Sequence, residues 1–271
     1  MNMIAPYQIQ ALNDAEASEN KMHSDDIAQK YGFTSALVSG VSVFGYLTHP
    51  LVETYGEGWL SNSMADVIFI KPAYHEEMLA ISTENVQDSQ YQHHHITTAY
   101  NEAGVLLSRL ESWRPDELPP IDERAYVEPR SINPPRTEIT WDRIIIDEPV
   151  TAYSWQPTAK DNQKFLDRLR DRLPIYRKGD SPLIHPFYML STCNQALVRM
   201  FILPAWIHTG SRIIFRQPLR IGQTIDVRTI PIEKWERKGH QFVKLYIAMR
   251  ADDEIAVEVE HTAIFRIAPK A

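Results

Sequence analysis

The residues best suited to chemistry lie close together near the N-terminus, in the stretch SENKMHSDDIAQKYGFTSALVSG at positions 18–40. Its one histidine, His23, follows Asn20 by three residues and precedes Asp25 by two. An imidazole gains and loses a proton near neutral pH, so His23 is a candidate general acid or base. The amide of Asn20 and the carboxylates of Glu19 and Asp25 are candidates to orient that ring or to contact a substrate.

The end of the same stretch predicts the start of a buried helix. SGVSVFGYLTHPLVETYG, from Ser39, has the apolar pattern of a largely buried helix, with Gly56 as its C-cap. A helix N-terminus offers unpaired N–H groups and a favourable dipole to negative charge. Gly40 lets a ligand approach the backbone closely, so the Ser39 and Gly40 amides are candidates to bind an oxygen atom.

This stretch resembles the signature of the MaoC-like, (R)-specific enoyl-CoA hydratases, a family of hot dog fold hydratases and dehydratases. The matching positions are Asn20, His23, Asp25, Ala28, Gly32, Phe33 and Gly40. The resemblance implies that His23 is the acid–base residue, that Asn20 orients it or the substrate, and that the Ser39–Gly40 amides hold the thioester oxygen. Asp25 is assigned to substrate binding together with these two amides.

Three positions depart from the family signature. Ser18 stands where the family has its catalytic aspartate, Lys21 where it has a proline, and Ser39 where it has a histidine before the helix glycine. The chain is therefore predicted to belong to a divergent branch with an altered acid–base pair. Glu19 lies one residue from the missing aspartate and is the candidate replacement, although a one-residue shift along a loop changes where a side chain points.

Each of these residues also has a purely structural interpretation. His23 is then an ordinary loop histidine, Asp25 the N-cap of a helix over DDIAQKYG, and Glu19 a solvated acidic residue. The three consecutive histidines at positions 93–95 lie on a predicted strand. Side chains alternate between the two faces of a strand, so these three cannot reach one metal ion. No metal or redox cofactor is expected.

Other candidates lie in the second half of the chain. His185, His208 and His261 either line a cavity or fill structural roles, and the structural role is the favoured interpretation. The turn WERKGH at positions 235–240 is basic in an acidic protein. It either contacts the phosphates of a carrier or is a solvated turn, and the second interpretation is favoured. Cys193, on an apolar helix, is predicted to be a core residue.

The chain contains an internal repeat. A block beginning at Trp59 and a block beginning at Trp206 each place a phenylalanine three residues before a proline. The two phenylalanines, Phe69 and Phe215, are 146 residues apart. A proline-rich stretch, residues 114–136, separates the repeats and predicts an extended linker. The predicted organisation is a domain at residues 1–120, a linker at 121–140 and a domain at 141–271.

Each half is predicted to contain a long helix followed by a strand meander. The predicted strands are residues 64–71, 78–87, 91–100, 104–113, 206–216, 224–235, 241–250 and 255–267. The second half has helices from Thr158 to Pro174 and from His185. The turns between strands are too short for parallel crossovers, so pairing is antiparallel. The fold class is therefore α+β, and the resemblance implies a double hot dog, in which two antiparallel sheets each wrap around a long central helix.

Composition narrows the class of protein. The 271 residues are 44% hydrophobic and 23% charged, as in an average soluble domain, and the formal net charge of -7 argues against nucleic acid or anionic lipid as a partner. The single cysteine excludes an intrachain disulfide, and the N-terminus lacks the features of a secretory signal. The longest weakly polar stretch, residues 35–47, is too short to span a bilayer. A cytoplasmic protein is expected.

The leading hypothesis is an (R)-specific enoyl-CoA hydratase or 3-hydroxyacyl-thioester dehydratase that acts on a CoA or carrier-protein thioester. One active site is expected, in the first half, while the second half packs against it and forms part of the acyl tunnel. The alternatives are a hot dog acyl-CoA thioesterase, a non-catalytic acyl-thioester-binding protein and a dehydratase of a specialised metabolite. The fused halves allow a monomer, and the resemblance favours a homodimer.

Overall fold

The computed structural model describes residues 4–13, 15, 18–129, 135–150 and 152–268. The α-helices in these ranges are α1 (Asp25–Lys30), α2 (Gly40–Tyr55), α3 (Ala159–Leu169) and α4 (Pro186–Met200). The strands are β1 (Tyr7–Gln10), β2 (Ser63–Phe69), β3 (Met78–Asn85), β4 (Gln92–Asn101), β5 (Leu106–Arg114), β6 (Thr137–Glu138), β7 (Tyr153–Trp155), β8 (Phe201–Ile202), β9 (Ile207–Phe215), β10 (Ile225–Arg237), β11 (His240–Ala251) and β12 (Glu254–Arg266). No helix in the described ranges is long and apolar enough to cross a membrane.

Ten of these strands form one antiparallel sheet in the order β1-β3-β4-β5-β2-β9-β12-β11-β10-β7. The first five strands in that order come from the first half of the chain and the last five from the second. The two sets join where β2 pairs with β9. The remaining strands, β6 and β8, form a short parallel pair. The two expected sheets are therefore the halves of one continuous sheet.

The joint between the halves shows that the internal repeat is structural. Asp66 on β2 pairs with Arg212 on β9, so each residue faces its own counterpart 146 positions away. The guanidinium of Arg212 donates to both carboxylate oxygens of Asp66, at 2.9 and 2.8 Å. The same offset relates two isolated bridges outside the strands, Leu37–Tyr74 and Leu183–Arg220.

The two long helices begin at equivalent positions and pack against each other. Ser39 caps α2 by accepting a hydrogen bond from the first turn, and the helix ends at Gly56 with a φ of 57°. His185 caps α4, and Pro186 occupies its first turn, as predicted. Both helices share one core with strands of both halves. Cys193 on α4 is fully buried, which confirms that it is a core residue.

The sequence predicts the long elements closely and misses the short ones. Every predicted strand is confirmed, with ends shifted by no more than two residues. The helix expected from Thr158 to Pro174 is shorter and ends at Leu169, because Arg170 adopts a left-handed conformation with a φ of 54°. The edge strands β1 and β7 are missed, because segments of four and three residues carry too little periodicity to recognise.

Part of the proline-rich stretch, around residues 121–126, lies against the second half of the sheet. Its short 3-10 helix, Glu123–Tyr126, buries Ala125 in a small cluster with Tyr246, Ala248 and Ile255. Tyr246 and Ala248 flank Ile247, which faces the main core, so the cluster lies on the opposite face of the sheet. The domain boundaries and the linker at 121–140 stay a prediction.

Candidate active site

The N-terminus of α2 opens onto a cavity of about 230 Å³ that residues of both halves line. The first half contributes Asn20, His23, Ser39, Gly40, Val43 and Phe69. The second half contributes Asn194 from α4, Trp206 from the segment before β9, His208 from β9 and Ile264 from β12. The lining combines apolar side chains with a few polar groups, which is the usual composition of a small-molecule site.

Two contacts define the tautomer of His23. Its Nδ1 lies 2.7 Å from the carbonyl oxygen of Leu37, so Nδ1 carries the proton. Its Nε2 lies 3.4 Å from the side-chain nitrogen of Asn20, which can only donate. The orientation of that amide is fixed because its Oδ1 accepts from the N–H groups of Met22 and Trp206, each at 3.2 Å. Nε2 of His23 therefore holds a lone pair.

Asn20 connects His23 to the second half of the molecule. Its buried amide accepts from the Trp206 N–H and donates to the Trp206 carbonyl at 3.0 Å. The same side chain caps the 3-10 turn Lys21–His23. Because these bonds fix its orientation, Asn20 sets the positions of both the His23 ring and the backbone at Trp206.

Asp25 supports the loop that holds His23. It is the exposed first residue of α1, and its Oδ1 accepts from the Ala36 N–H at 2.7 Å. The next residue, Leu37, provides the carbonyl that binds His23. The N-cap of α1 is Ser24 and not Asp25, which corrects the structural interpretation of this residue. Asp25 thus acts on the site through the backbone of the loop.

Glu19 pairs with an arginine from a distant part of the sequence. Its two carboxylate oxygens accept from the guanidinium of Arg136 at 3.0 and 2.5 Å. The hydrogen bonds from Arg136 lower the pKa of Glu19. At the position of the family's aspartate, the Ser18 hydroxyl donates to the Asn20 carbonyl at 3.2 Å. The first half therefore presents an ion-paired carboxylate and a hydroxyl beside its histidine.

The start of α2 is built from small residues. The Ser39 hydroxyl accepts from the Ser42 N–H at 3.3 Å. The N–H groups of Gly40 and Val41 have no acceptor within the helix because they lie in its first turn. A Cβ atom at Gly40 would lie 3.3 Å from His208 Nδ1 and 3.3 Å from the Phe69 ring, so a larger residue would narrow the cavity at this point.

A second cavity, of about 300 Å³, adjoins the first. The two cavities share five lining residues, namely Asn20, His23, Ser39, Asn194 and Trp206. Glu19 and Arg168 line the second cavity, and Lys71 lines the first. His23 therefore stands between two spaces, each of which has a cationic side chain in its wall.

Three polar atoms in the wall contributed by the second half are buried and have no partner among the described residues. They are Asn194 Oδ1, Trp206 Nε1 and His208 Nδ1. Buried polar atoms nearly always have a hydrogen-bond partner, so this group points to a place completed by a ligand or by water. Sequence reasoning missed Asn194 and Trp206 as site residues and favoured a structural role for His208, because the second half has no copy of the motif.

The remaining sequence candidates make contacts outside these cavities. His94 binds Glu111 at 2.8 Å, whereas His95 is buried with Nε2 at 2.7 Å from the Tyr55 hydroxyl. Across the described ranges, no group of three or more His, Cys, Asp or Glu side chains is arranged to hold a metal ion. The basic turn at 235–240 forms the hairpin between β10 and β11.

His185 is the counterpart of Ser39 in the second half, 146 residues later in the chain. Its Nδ1 accepts from the Phe187 N–H at 3.1 Å, and its Nε2 lies 3.2 Å from the Asp171 carboxylate. The same carboxylate binds His49 at 2.9 Å. Burial works to raise the pKa of Asp171, but the hydrogen bonds from His185 and His49 outweigh it and hold that pKa well below its ordinary value.

Comparison with known proteins gives structural matches only. No family model matches the chain, and no curated protein matches it. A protein of Chloroflexus aurantiacus described as a MaoC domain dehydratase aligns with a TM-score of 0.65 at 11% identity, over 97% of this chain and 94% of its own. A protein described as an oleoyl thioesterase, from Lactobacillus plantarum, aligns with a TM-score of 0.53 at 15% identity, over 98% and 97% of the two chains.

A third solved structure is of a protein described by its fold. A Mycobacterium tuberculosis protein described as having a double hot dog fold aligns with a TM-score of 0.64 at 10% identity, over 97% of this chain and 96% of its own. These alignments cover both halves of the chain, and at such low sequence identity they show the fold alone. With its two helix-and-strand repeats joined at β2 and β9, the chain has the double hot dog fold.

Proposed function

We propose that this protein is an enzyme that reversibly adds water to a 2-enoyl thioester of CoA or of a carrier protein. The observation that carries the proposal is the fixed tautomer of His23, whose Nε2 holds a lone pair in the wall of a largely apolar cavity. The N-terminus of α2, at Gly40, opens onto the same cavity. A base and a site for an oxygen anion are the two groups that this reaction needs.

In the proposed reaction, His23 moves one proton. Nε2 takes a proton from a water molecule while the water oxygen bonds to the β carbon of the substrate. The electron pair of the double bond moves toward the thioester oxygen, where the N–H groups of Ser39 and Gly40 stabilise the negative charge. The same proton then passes from Nε2 to the α carbon. One histidine can thus perform both proton transfers, without the aspartate that Ser18 replaces.

The residues around His23 position its ring and the nearby backbone. Asn20 orients His23 and the backbone at Trp206, and Asp25 supports the loop whose carbonyl at Leu37 binds Nδ1. Glu19 lies in its ion pair with Arg136 at the wall of the second cavity. A thioester with its reacting carbons beside His23 would extend its acyl group into one cavity and its carrier arm into the other.

The test uses the full chain and trans-2-enoyl-CoA substrates of short, medium and long chain length. We expect loss of the absorbance of the conjugated thioester with no release of free thiol. His23→Ala should abolish that loss while leaving the protein folded by circular dichroism. Activity that is unchanged in His23→Ala would overturn the site assignment.

Thioester hydrolysis is the second candidate function. The structural match to a protein described as a thioesterase and the presence of Ser18 in place of the family's aspartate both favour it. Release of free thiol from saturated acyl-CoA would establish hydrolysis in place of hydration. Tight binding of a thioester that is recovered unchanged would instead support the non-catalytic alternative.

A further inference from the structure

His208 faces the N-terminus of α2 from the opposite wall of the cavity. Its ring packs at 4.7 Å from the Phe69 ring, and its Nδ1 lies 3.3 Å from the point where a Cβ atom at Gly40 would stand. The residue is 6% exposed, so its polar atoms are removed from bulk water. Nδ1 of His208 and the first turn of α2 therefore border the same small space.

Nδ1 of His208 has no hydrogen-bond partner among the described residues. Leaving a buried polar atom unpaired is unfavourable, so such atoms are rare unless a ligand or water completes them. The other ring nitrogen is used, because Nε2 lies 2.9 Å from the Ser211 hydroxyl. The ring is thus held on its far side and open on the side of the cavity.

A second histidine, His261 on β12, contacts the same Ser211 hydroxyl. The Ser211 hydroxyl also lies 3.0 Å from Nδ1 of His261, and the two imidazole rings pack with their centroids 4.1 Å apart and their planes tilted by 31°. Burial lowers the pKa of His261 to about 3, and burial together with His261 lowers the pKa of His208 well below its ordinary value. Both rings are therefore neutral at physiological pH.

The single proton of the Ser211 hydroxyl links the two tautomers. If the hydroxyl donates to Nε2 of His208, it accepts from Nδ1–H of His261, and His208 carries its proton on Nδ1. The opposite arrangement would leave an N–H at Nε2 of His261, which is buried without a partner. Nδ1 of His208 borders the cavity, where a ligand can accept from its N–H, whereas His261 lines neither cavity, so the first arrangement is favoured.

We propose that Nδ1–H of His208 and the first N–H groups of α2 bind the same oxygen atom, the thioester carbonyl of the substrate. This inference rests on the proposed function and adds to it a catalytic residue from the second half. A neutral imidazole N–H supplies a donor where negative charge develops and adds no charge when the site is empty. The two halves then contribute different parts of one site, with the base on one side and a carbonyl donor on the other.

The kinetic test compares His208→Phe with a control variant. Phenylalanine keeps a planar ring but has no N–H, so kcat for a trans-2-enoyl-CoA should fall about 10²- to 10³-fold, as when one oxyanion donor is removed. His94→Gln, outside both cavities, should leave kcat unchanged. Ser211→Ala keeps the imidazole and removes the bond that sets its tautomer, so it should give a smaller loss and a changed 15N chemical shift of His208.

A second readout does not depend on turnover. Butanoyl-CoA labelled with 13C at its carbonyl has no double bond to hydrate, and its infrared carbonyl band should move to lower frequency on binding. In His208→Phe the band should return toward its position in water. If His208→Phe is unfolded by circular dichroism, Ser211→Ala serves for both measurements.

The outcomes separate the two proposals. If the wild-type protein turns over the enoyl thioester and His208→Phe retains both its rate and its band shift, the role of His208 is overturned. If the wild-type protein turns over no enoyl thioester but shows a band shift that depends on His208, the proposed function fails and the carbonyl contact stands. If no thioester binds the wild-type protein, both proposals fail.

Discussion

The starts of α2 and α4 occupy equivalent places in the two halves, yet only that of α2 borders the cavity of about 230 Å³. At α2 the chain places Ser39 and then Gly40, two small residues, beside a cavity. At α4, 146 residues later, it places His185 and Pro186. The same backbone position therefore borders a cavity in one half and carries two bulkier residues in the other.

The polar groups at the start of α4 find their partners within the protein. His185 binds the Phe187 N–H and the Asp171 carboxylate, and the Asn162 side chain accepts from the His185 N–H at 3.4 Å. Pro186 has no N–H to offer a ligand. At α2, by contrast, the buried Nδ1 of His208 is unpartnered in the described structure. The polar groups at the start of α4 are thus hydrogen-bonded within the protein, whereas the cavity at the start of α2 keeps an unpartnered polar atom and is the candidate binding site.

The largest expected effect tests this contrast directly. His23→Gln should lower kcat/KM for a trans-2-enoyl-CoA about 10³-fold, equivalent to about 4 kcal/mol, because the amide cannot accept and return a proton. The matched variant in the closed half, His185→Gln, should keep kcat/KM per folded molecule near the wild-type value. Equal losses in the two variants would mean that both helix starts serve catalysis.

A stability effect is expected at the closed helix start. Asp171→Asn leaves two histidines without their shared carboxylate, so the free energy of unfolding should fall by about 3 kcal/mol at neutral pH. The pKa of Asp171 is lower in the folded protein than in the unfolded chain. Its contribution to the free energy of unfolding is therefore present above the unfolded pKa, near 4, and is lost as the pH falls through the folded pKa. Urea unfolding across pH should show this acid loss in the wild type and not in Asp171→Asn.

His49 gives the same cluster a second pH dependence with the opposite sign. Burial works to lower the pKa of His49, but its hydrogen bond to Asp171 outweighs burial and raises that pKa. The contribution of His49 to the free energy of unfolding is therefore complete below its pKa in the unfolded chain, near 6.5. It is lost as the pH rises through the higher pKa of the folded protein. An Asp171→Asn protein as stable as the wild type throughout would contradict the structural role of this cluster.

A smaller effect on activity is expected from narrowing the open helix start. Gly40→Ala places a methyl group 3.3 Å from His208 and Phe69, so those rings or the substrate must shift by a few tenths of an ångström. We expect kcat/KM to fall about tenfold, since catalytic geometry is sensitive to small displacements. The counterpart Pro186→Ala should not change kcat/KM. Full activity in Gly40→Ala would show that the substrate does not approach this backbone.

The sequence predicts the parts of the site that are local and misses those that depend on the fold. Asn20 and His23 are three residues apart in a recognisable pattern, and the structure brings them into contact. Trp206 lies 186 residues from Asn20, and only the joining of the two halves puts them together. Glu19 likewise meets Arg136 across 117 residues, through a proline-rich stretch that carries no periodic signal.

The repeat explains why the fold is easier to predict than the site. Strands and helices follow from hydrophobic periodicity, which both halves retain, and the Phe–Pro spacing fixes their offset. The difference between an open and a closed helix start depends on side-chain volume and on partners brought from elsewhere, such as Asp171 for His185. These features belong to the packed molecule, so one half of a repeat gives little information about whether the other half is a site.

The smallest effect is expected at the joint between the two halves, where β2 pairs with β9. Asp66 and Arg212 pair there, but their side chains are 33% and 53% exposed, so water screens the attraction. Asp66→Asn should lower the free energy of unfolding by about 0.5 kcal/mol at low salt, and this difference should disappear at high salt. The backbone ladder between β2 and β9 and the core beneath it remain in the variant, and the cavity is untouched. A loss of several kcal/mol in urea unfolding would mean that the ion pair, and not the ladder and core, holds the two halves together.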